Sequence, residues 1–250
     1  MSYRQKIVRD YNVIAVRTRG LARVFSFLLV FSMSLVACSA HATMELSNVI
    51  LHFEPGEPNR QDVEVSNPGE EPLYVQIEPK IVLSPGSDHE DRAPIDDPRD
   101  AGLLVTPNKL IVPPGATRVV RFVKLGSSPT ERVYRVSARP IANEIEATQT
   151  SLKILIGYEV LAIVYPNNPK PRLEVNRNGK LLTVRNAGNT NVLVREGYQC
   201  REPDQPHEDC IPLAGKRIYP GNTWQVELPE DLPVTLYQSV ANRNTVEVYP

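Results

Sequence analysis

Residues able to do chemistry are few and scattered in this chain. His52, His89 and His207 stand in separate segments, with none of the spacing that gathers metal ligands. No Gly-rich phosphate loop and no nucleophile elbow is present. The acidic run from His89-Glu90-Asp91 to Asp96-Asp97 could hold a cation, but exposed carboxylates of this kind are ordinarily just solvated. The expectation is a protein that is not an enzyme, with no metal and no cofactor.

Two cysteines carry the one covalent expectation. The first 42 residues read as a secretory signal. Lys6, Arg9, Arg17, Arg19 and Arg23 precede an apolar run, Val24 to Val36, that ends in Ala40-His41-Ala42. That run is shorter than the roughly 20 residues a membrane span needs. Cleavage after Ala42 would leave Thr43 to Pro250. A second reading stays open, since Leu35-Val36-Ala37-Cys38 resembles a lipoprotein box that would leave an acylated Cys38 at the N-terminus. Cleavage after Ala42 leaves Cys200 and Cys210, and an even pair in an oxidising compartment predicts a disulfide. Zinc would need about four ligands, which His207 alone does not supply.

The elements that must position any site are strands. With 28 Lys+Arg against 29 Asp+Glu the chain has no basic surplus that would point to nucleic acid. Its 23 prolines fall between short Val/Ile/Leu runs, as in an all-β protein with many turns. Strands are predicted at Val49 to Phe53, Gln61 to Val65, Leu73 to Ile77, Leu103 to Thr106, Lys109 to Val112, Thr117 to Val123 and Val133 to Ala138. Within them Val63 and Val65 alternate, as do Val119, Arg121 and Val123. Ser84 to Gly102 reads as a long polar loop. Pro166 to Pro171 reads as a stiff linker. A second set of strands then begins at Leu173 and runs to Tyr249. The fold class is all-β: two tandem immunoglobulin-like β-sandwich domains after a cleaved signal peptide, at residues 43–165 and 172–250 with the linker at 166–171.

One stretch does not fit a strand with a wet face. From Ser151 to Tyr165 apolar residues first alternate at Leu152, Ile154 and Ile156, then become almost continuous. Either it lies wholly inside a sandwich, or one face is kept for a partner.

Several motifs in fixed order carry a family resemblance. Leu104-Val105-Thr106-Pro107, Leu110-Ile111-Val112-Pro113-Pro114-Gly115, Arg118-Val119-Val120-Arg121-Phe122 and Glu131-Arg132-Val133-Tyr134-Arg135-Val136 resemble a periplasmic pilus chaperone of the chaperone–usher pathway. Leu182-Thr183-Val184-Arg185-Asn186 and Tyr219-Pro220-Gly221-Asn222 extend the likeness, which covers residues 45–250. The resemblance implies a periplasmic protein that binds pilus or fimbrial subunits by lending them a β-strand and delivers them to an outer-membrane usher. Leu152, Ile154 and Ile156 would be the lent residues, with Leu155 and its neighbours on the chaperone's own core. In the alternative all of them are core.

Departures from the family pattern shape further expectations. The family anchors the carboxylate of its bound subunits with a basic pair, which here would fall near Ile50 and near Glu159 to Ala162, where no basic residue stands. Lys153, Arg139 or Lys170 are the substitutes in view. Glu131 resembles the family's interdomain acid, but its usual Arg partner is missing at Tyr165-Pro166. Asn242 or Arg243 replaces the second domain's acid, so Glu131 is expected either to pair with Arg172 or to be solvated. An apolar strand kept for a partner also suggests a self-capping dimer of the free protein. The rival function is a secreted or lipid-anchored two-domain adhesin or pilus component. Thr43 to Ser47 is short for the donor extension a pilus component would carry.

Overall fold

The computed structural model describes residues 44–141, 155–202, 206–240 and 243–250. Leu152, Ile154 and the signal segment fall outside these residues. So do Lys153 and Asn242.

Strands are numbered in chain order. In the first sandwich, β1 (Glu45–Leu46), β3 (Arg60–Ser66), β8 (Thr117–Lys124) and β6 (Leu103–Thr106) form one antiparallel sheet in that order. The facing sheet runs β2 (Ile50–Phe53), β10 (Tyr158–Val164), β9 (Arg132–Pro140), β4 (Leu73–Leu83), β5 (Asp91–Pro94), with β7 (Lys109–Val112) also on β4. All its pairings are antiparallel except β2 with β10. Val63, Val65, Val75, Ile77, Val120, Phe122, Tyr134, Val136, Val160 and Val164 fill the space between the sheets.

On β8 the buried residues are Val120 and Phe122, while Val119 is 43% exposed. The alternation of Val119, Arg121 and Val123 therefore marks the outer face. Phe122 outweighs either valine in buried area, and its row decides which face turns inward. Asp62 and Arg121 stand directly opposite each other there and pair at 2.9 Å.

The segment read as a loop, Ser84 to Gly102, contains β5 and a single helical turn, α1 (Pro98–Ala101). β5 has no apolar alternation, and hydrogen bonds to the far end of β4 hold it extended. α1 starts where the Asp97 carboxylate accepts from the Arg99 amide and Pro98 opens the turn.

The second sandwich pairs β11 (Leu173–Asn178), β12 (Leu181–Asn186) and β15 (Thr223–Glu227) in one sheet. The other runs β14 (Ile211–Ile218), β13 (Val192–Gln199), β16 (Val234–Val240), β17 (Arg243–Tyr249). Leu182, Val184, Val194, Ile218, Val234 and Leu236 form its core. Cys200 and Cys210 are bonded, closing the loop between β13 and β14. A 3-10 turn, His207–Asp209, ends that loop and sets the His207 ring on Tyr198, with centroids 4.5 Å apart. The hydroxyl of Tyr237 lies 3.1 Å from Nε2 of the same ring. His207 is thus part of an aromatic stack.

Candidate functional site

β10 meets two different surfaces. Val160, Ala162 and Val164 point into the core of the first sandwich. Leu161, Ile163 and Tyr165 point the other way, where they join Val82, Val133 and Tyr219 in a separate buried cluster. Tyr219 belongs to the second sandwich, so the apolar face that looked unpaired in sequence is covered from the other side of the linker. Its turn is built for that approach. Asn222 Nδ2 donates to the Pro85 carbonyl at 2.7 Å. Gly86, at φ +70, lies where a Cβ would sit 2.8 Å from the Tyr219 ring.

Upstream of this covered stretch the chain is open. β9 pairs with β10 along its whole length, Tyr158 to Val164, but β2 pairs only with Leu161 to Val164. Tyr158 to Val160 therefore present a sheet edge with no ladder partner among the described residues. Directly before them Ile156 is 55% exposed, whereas Leu155 is half-buried. Gly157 lies close against β9, where a Cβ would come within 3.2 Å of the Ala138 carbonyl.

Beside this edge the outer face of the sheet carries charge. A pocket of about 330 Å³ is lined by Lys80, Arg92, Arg135, Arg139, Glu78 and Glu159, among others. Arg92 pairs with Glu159 at 2.7 Å, and Arg139 pairs with Glu78. Lys80 and Arg135 have no hydrogen-bond or ion-pair partner among the described residues. They stand opposite each other, and Arg135 in turn stands opposite Leu161, which faces Ile50. The row that lacks basic residues on β2 and β10 thus has them on the next two strands. Arg139, a candidate substitute from sequence, is already paired. Lys170 is exposed in the connection to the second sandwich and does not line this pocket.

Glu131 sits at the opposite end of the face and is buried. Its Oε2 accepts from Thr190 Oγ1 at 3.0 Å, from the Asn191 amide at 2.7 Å and from Asn191 Nδ2 at 2.8 Å, while Oε1 has no partner. The expected pairing with Arg172 does not occur, since Arg172 pairs with Glu174, and Glu131 is not solvated either. Two turns of chain explain this. Asn186 is fully buried and donates to the carbonyls of Thr190 and Ile218, each at 2.8 Å. That fixes the 187–191 loop against the first sandwich, where the Glu131 amide also donates to the Asn189 carbonyl at 3.0 Å. Arg217 reaches Glu131 only through Asn191, whose Oδ1 it donates to.

Electrostatics follow from that burial. Desolvation pushes the Glu131 carboxyl above its ordinary range, and the Asn191 and Thr190 hydrogen bonds pull it back in part. Burial, reinforced by nearby Arg217, lowers His52, whose Nδ1 lies 3.1 Å from the Tyr165 hydroxyl. Among the described residues no group of three His, Cys, Asp or Glu side chains is placed to hold a metal ion. The sequence singled out Glu131 but missed Asn191, Thr190, Lys80, Arg92 and Arg135. Its only hint of the first two was the polar run Asn186 to Asn191.

Two tandem sandwiches with an open strand edge define the class, and comparison with known proteins places the chain within it. No family model matches the chain. It is 31% identical over 161 residues to a CS1 fimbrial protein of Escherichia coli, covering 60% of this chain and 67% of that relative. The crystal structure of the class 5 fimbriae chaperone CfaA aligns with a TM-score of 0.66 at 24% identity, covering 83% of this chain and 99% of the other. A chaperone–tip adhesin complex from CFA/I fimbriae biogenesis gives a TM-score of 0.62 at 24% identity, over 83% and 98% of the two chains. These structures share the fold. The chain belongs to the fimbrial chaperones of the chaperone–usher pathway, as a divergent member. Proteins of that family are not enzymes.

Proposed function

We propose that this protein is a periplasmic chaperone that binds fimbrial subunits by donating a strand and hands them to an outer-membrane usher. The observation that carries this reading is the sheet edge at Tyr158 to Val160, open on the side where β2 stops short. An incoming strand can hydrogen-bond to such an edge, while alternate side chains of Leu152, Ile154 and Ile156 fill pockets in the bound pilin. Exposure of Ile156 fits that use. The chaperone–tip adhesin complex among the similar structures supports a fimbrial subunit as the partner.

In the same reading Lys80 and Arg135 receive the terminal carboxylate of the bound pilin, two strands from where the family pattern would put its cations. Both are unpaired among the described residues and lie in the pocket beside the open edge. Export with cleavage after Ala42, and the boundaries 43–165, 166–171 and 172–250, belong to this proposal too. Glu131 would then hold the two domains at their junction.

Co-expression with a fimbrial subunit tests the donor assignment. Ile154→Asp and Ile156→Asp should each lose the co-purifying pilin while circular dichroism and melting temperature stay unchanged. Retention of the complex by both variants would show the donor residues to be wrong.

A further inference from the structure

The last strand of the second sandwich is an edge left without protection. β17 pairs with β16 in unbroken register from Arg243 to Tyr249, and its other side has no partner among the described residues. Along it every residue but Tyr249 is exposed, with Val246 at 53% and Val248 at 62%. Protein edges of this length usually carry a proline, a bulge or a lysine that discourages pairing. The opposite edge of the same sheet, β14, has Pro212, Gly215 and Lys216. β17 has none of these within its span.

Its charges are arranged for its own copy. Arg243 and Glu247 lie on the same side of the strand, two side-chain positions apart, and neither has an ion-pair partner among the described residues. If two β17 strands meet antiparallel with Thr245 on the twofold axis, Arg243 of each stands directly opposite Glu247 of the other. Both ion pairs form at once, as a closed twofold contact requires. Opposite charges facing across an antiparallel pair favour that register, and like charges oppose its alternatives.

We propose that this protein forms a homodimer through β17, joining the two four-stranded sheets into one with Thr245 at its centre. The contact lies on the second sandwich and leaves the open edge at Tyr158 to Val160 free. It is therefore distinct from a dimer that caps the donor segment.

The test uses the full mature chain. Sedimentation velocity should give a dimer at micromolar concentration. Arg243→Glu and Glu247→Arg should each weaken dimerisation by about tenfold or more, because two attractive pairs become repulsive. The double variant should restore it. Thr245→Cys should form an intermolecular disulfide on oxidation, and Val246→Cys should not. A monomer at all concentrations would overturn the proposal, as would a double variant as weak as the single ones. Cross-linking through Val246→Cys but not Thr245→Cys would overturn the register. Unchanged circular dichroism separates each loss from unfolding.

Discussion

The outer face of the β2-β10-β9-β4-β5 sheet has two halves that the same strands treat differently. Toward the second sandwich it is apolar and covered: Val82, Val133, Leu161 and Ile163 lie under Tyr219. Toward the start of β10 it is charged and open, with Lys80, Arg135 and the Arg92–Glu159 pair around a pocket. A change of a few residues along β10, from Glu159 to Leu161, separates them. The lesson is that continuous apolarity on one strand need not mean a single role. Here half of it is interdomain packing, and only the segment before Tyr158 is left for a partner.

The sharpest way to break this contrast is to strip the cover from the closed half. Tyr219→Ala should cost about 3–5 kcal/mol, the usual range for a buried aromatic, read as a lower denaturant midpoint. A loss under about 1 kcal/mol would mean the cluster is not a structural joint.

In the open half the expected effect falls on binding. Arg135→Ala and Lys80→Ala should leave stability within about 0.5 kcal/mol, as surface changes do. Each should weaken binding of a fimbrial subunit by about 2 kcal/mol or more, because the partner's anion is left unpaired. A pilin with an amidated C-terminus should bind both variants and the parent equally, and a parent that still prefers the free carboxylate by no margin would remove the assigned role.

Glu131 at the junction gives a smaller, pH-dependent effect. Its raised pKa means the folded state holds the proton more tightly than the unfolded state. That contribution is fully present below the ordinary Glu value of about 4.3 and is lost as pH rises through the raised value. Glu131→Gln keeps an oxygen acceptor and removes the buried charge. Its melting temperature should therefore exceed the parent's by most at neutral pH, with the gap closing on acidification. A gap independent of pH would contradict the burial argument. Glu131→Ala, which strands the Asn191 amide, should cost about 1–3 kcal/mol at any pH.

Much of the strand order was legible because the apolar positions alternate and Pro, Gly and Asn mark the turns. Cys200 and Cys210 were legible from count and compartment alone. β5 was not, because Asp91-Arg92-Ala93-Pro94 has no pattern of its own and is extended only by its neighbour. The partner of Glu131 was hidden for a different reason. Asn191 is 60 residues away, and a neutral amide carries no sign that it will meet a buried carboxylate. Lys80 and Arg135 looked like ordinary outward-facing charges. Only the cross-strand register sets them opposite each other and leaves them unpaired.

The central claim is that a strand of the bound pilin adds to the edge at Tyr158 to Val160. Amide hydrogen exchange with and without a bound fimbrial subunit tests it most directly. The account predicts strong new protection across residues 152–160, with Leu161 to Val164 protected in both states. Protection that appears elsewhere on the chain while 152–160 exchange as freely as before would contradict it.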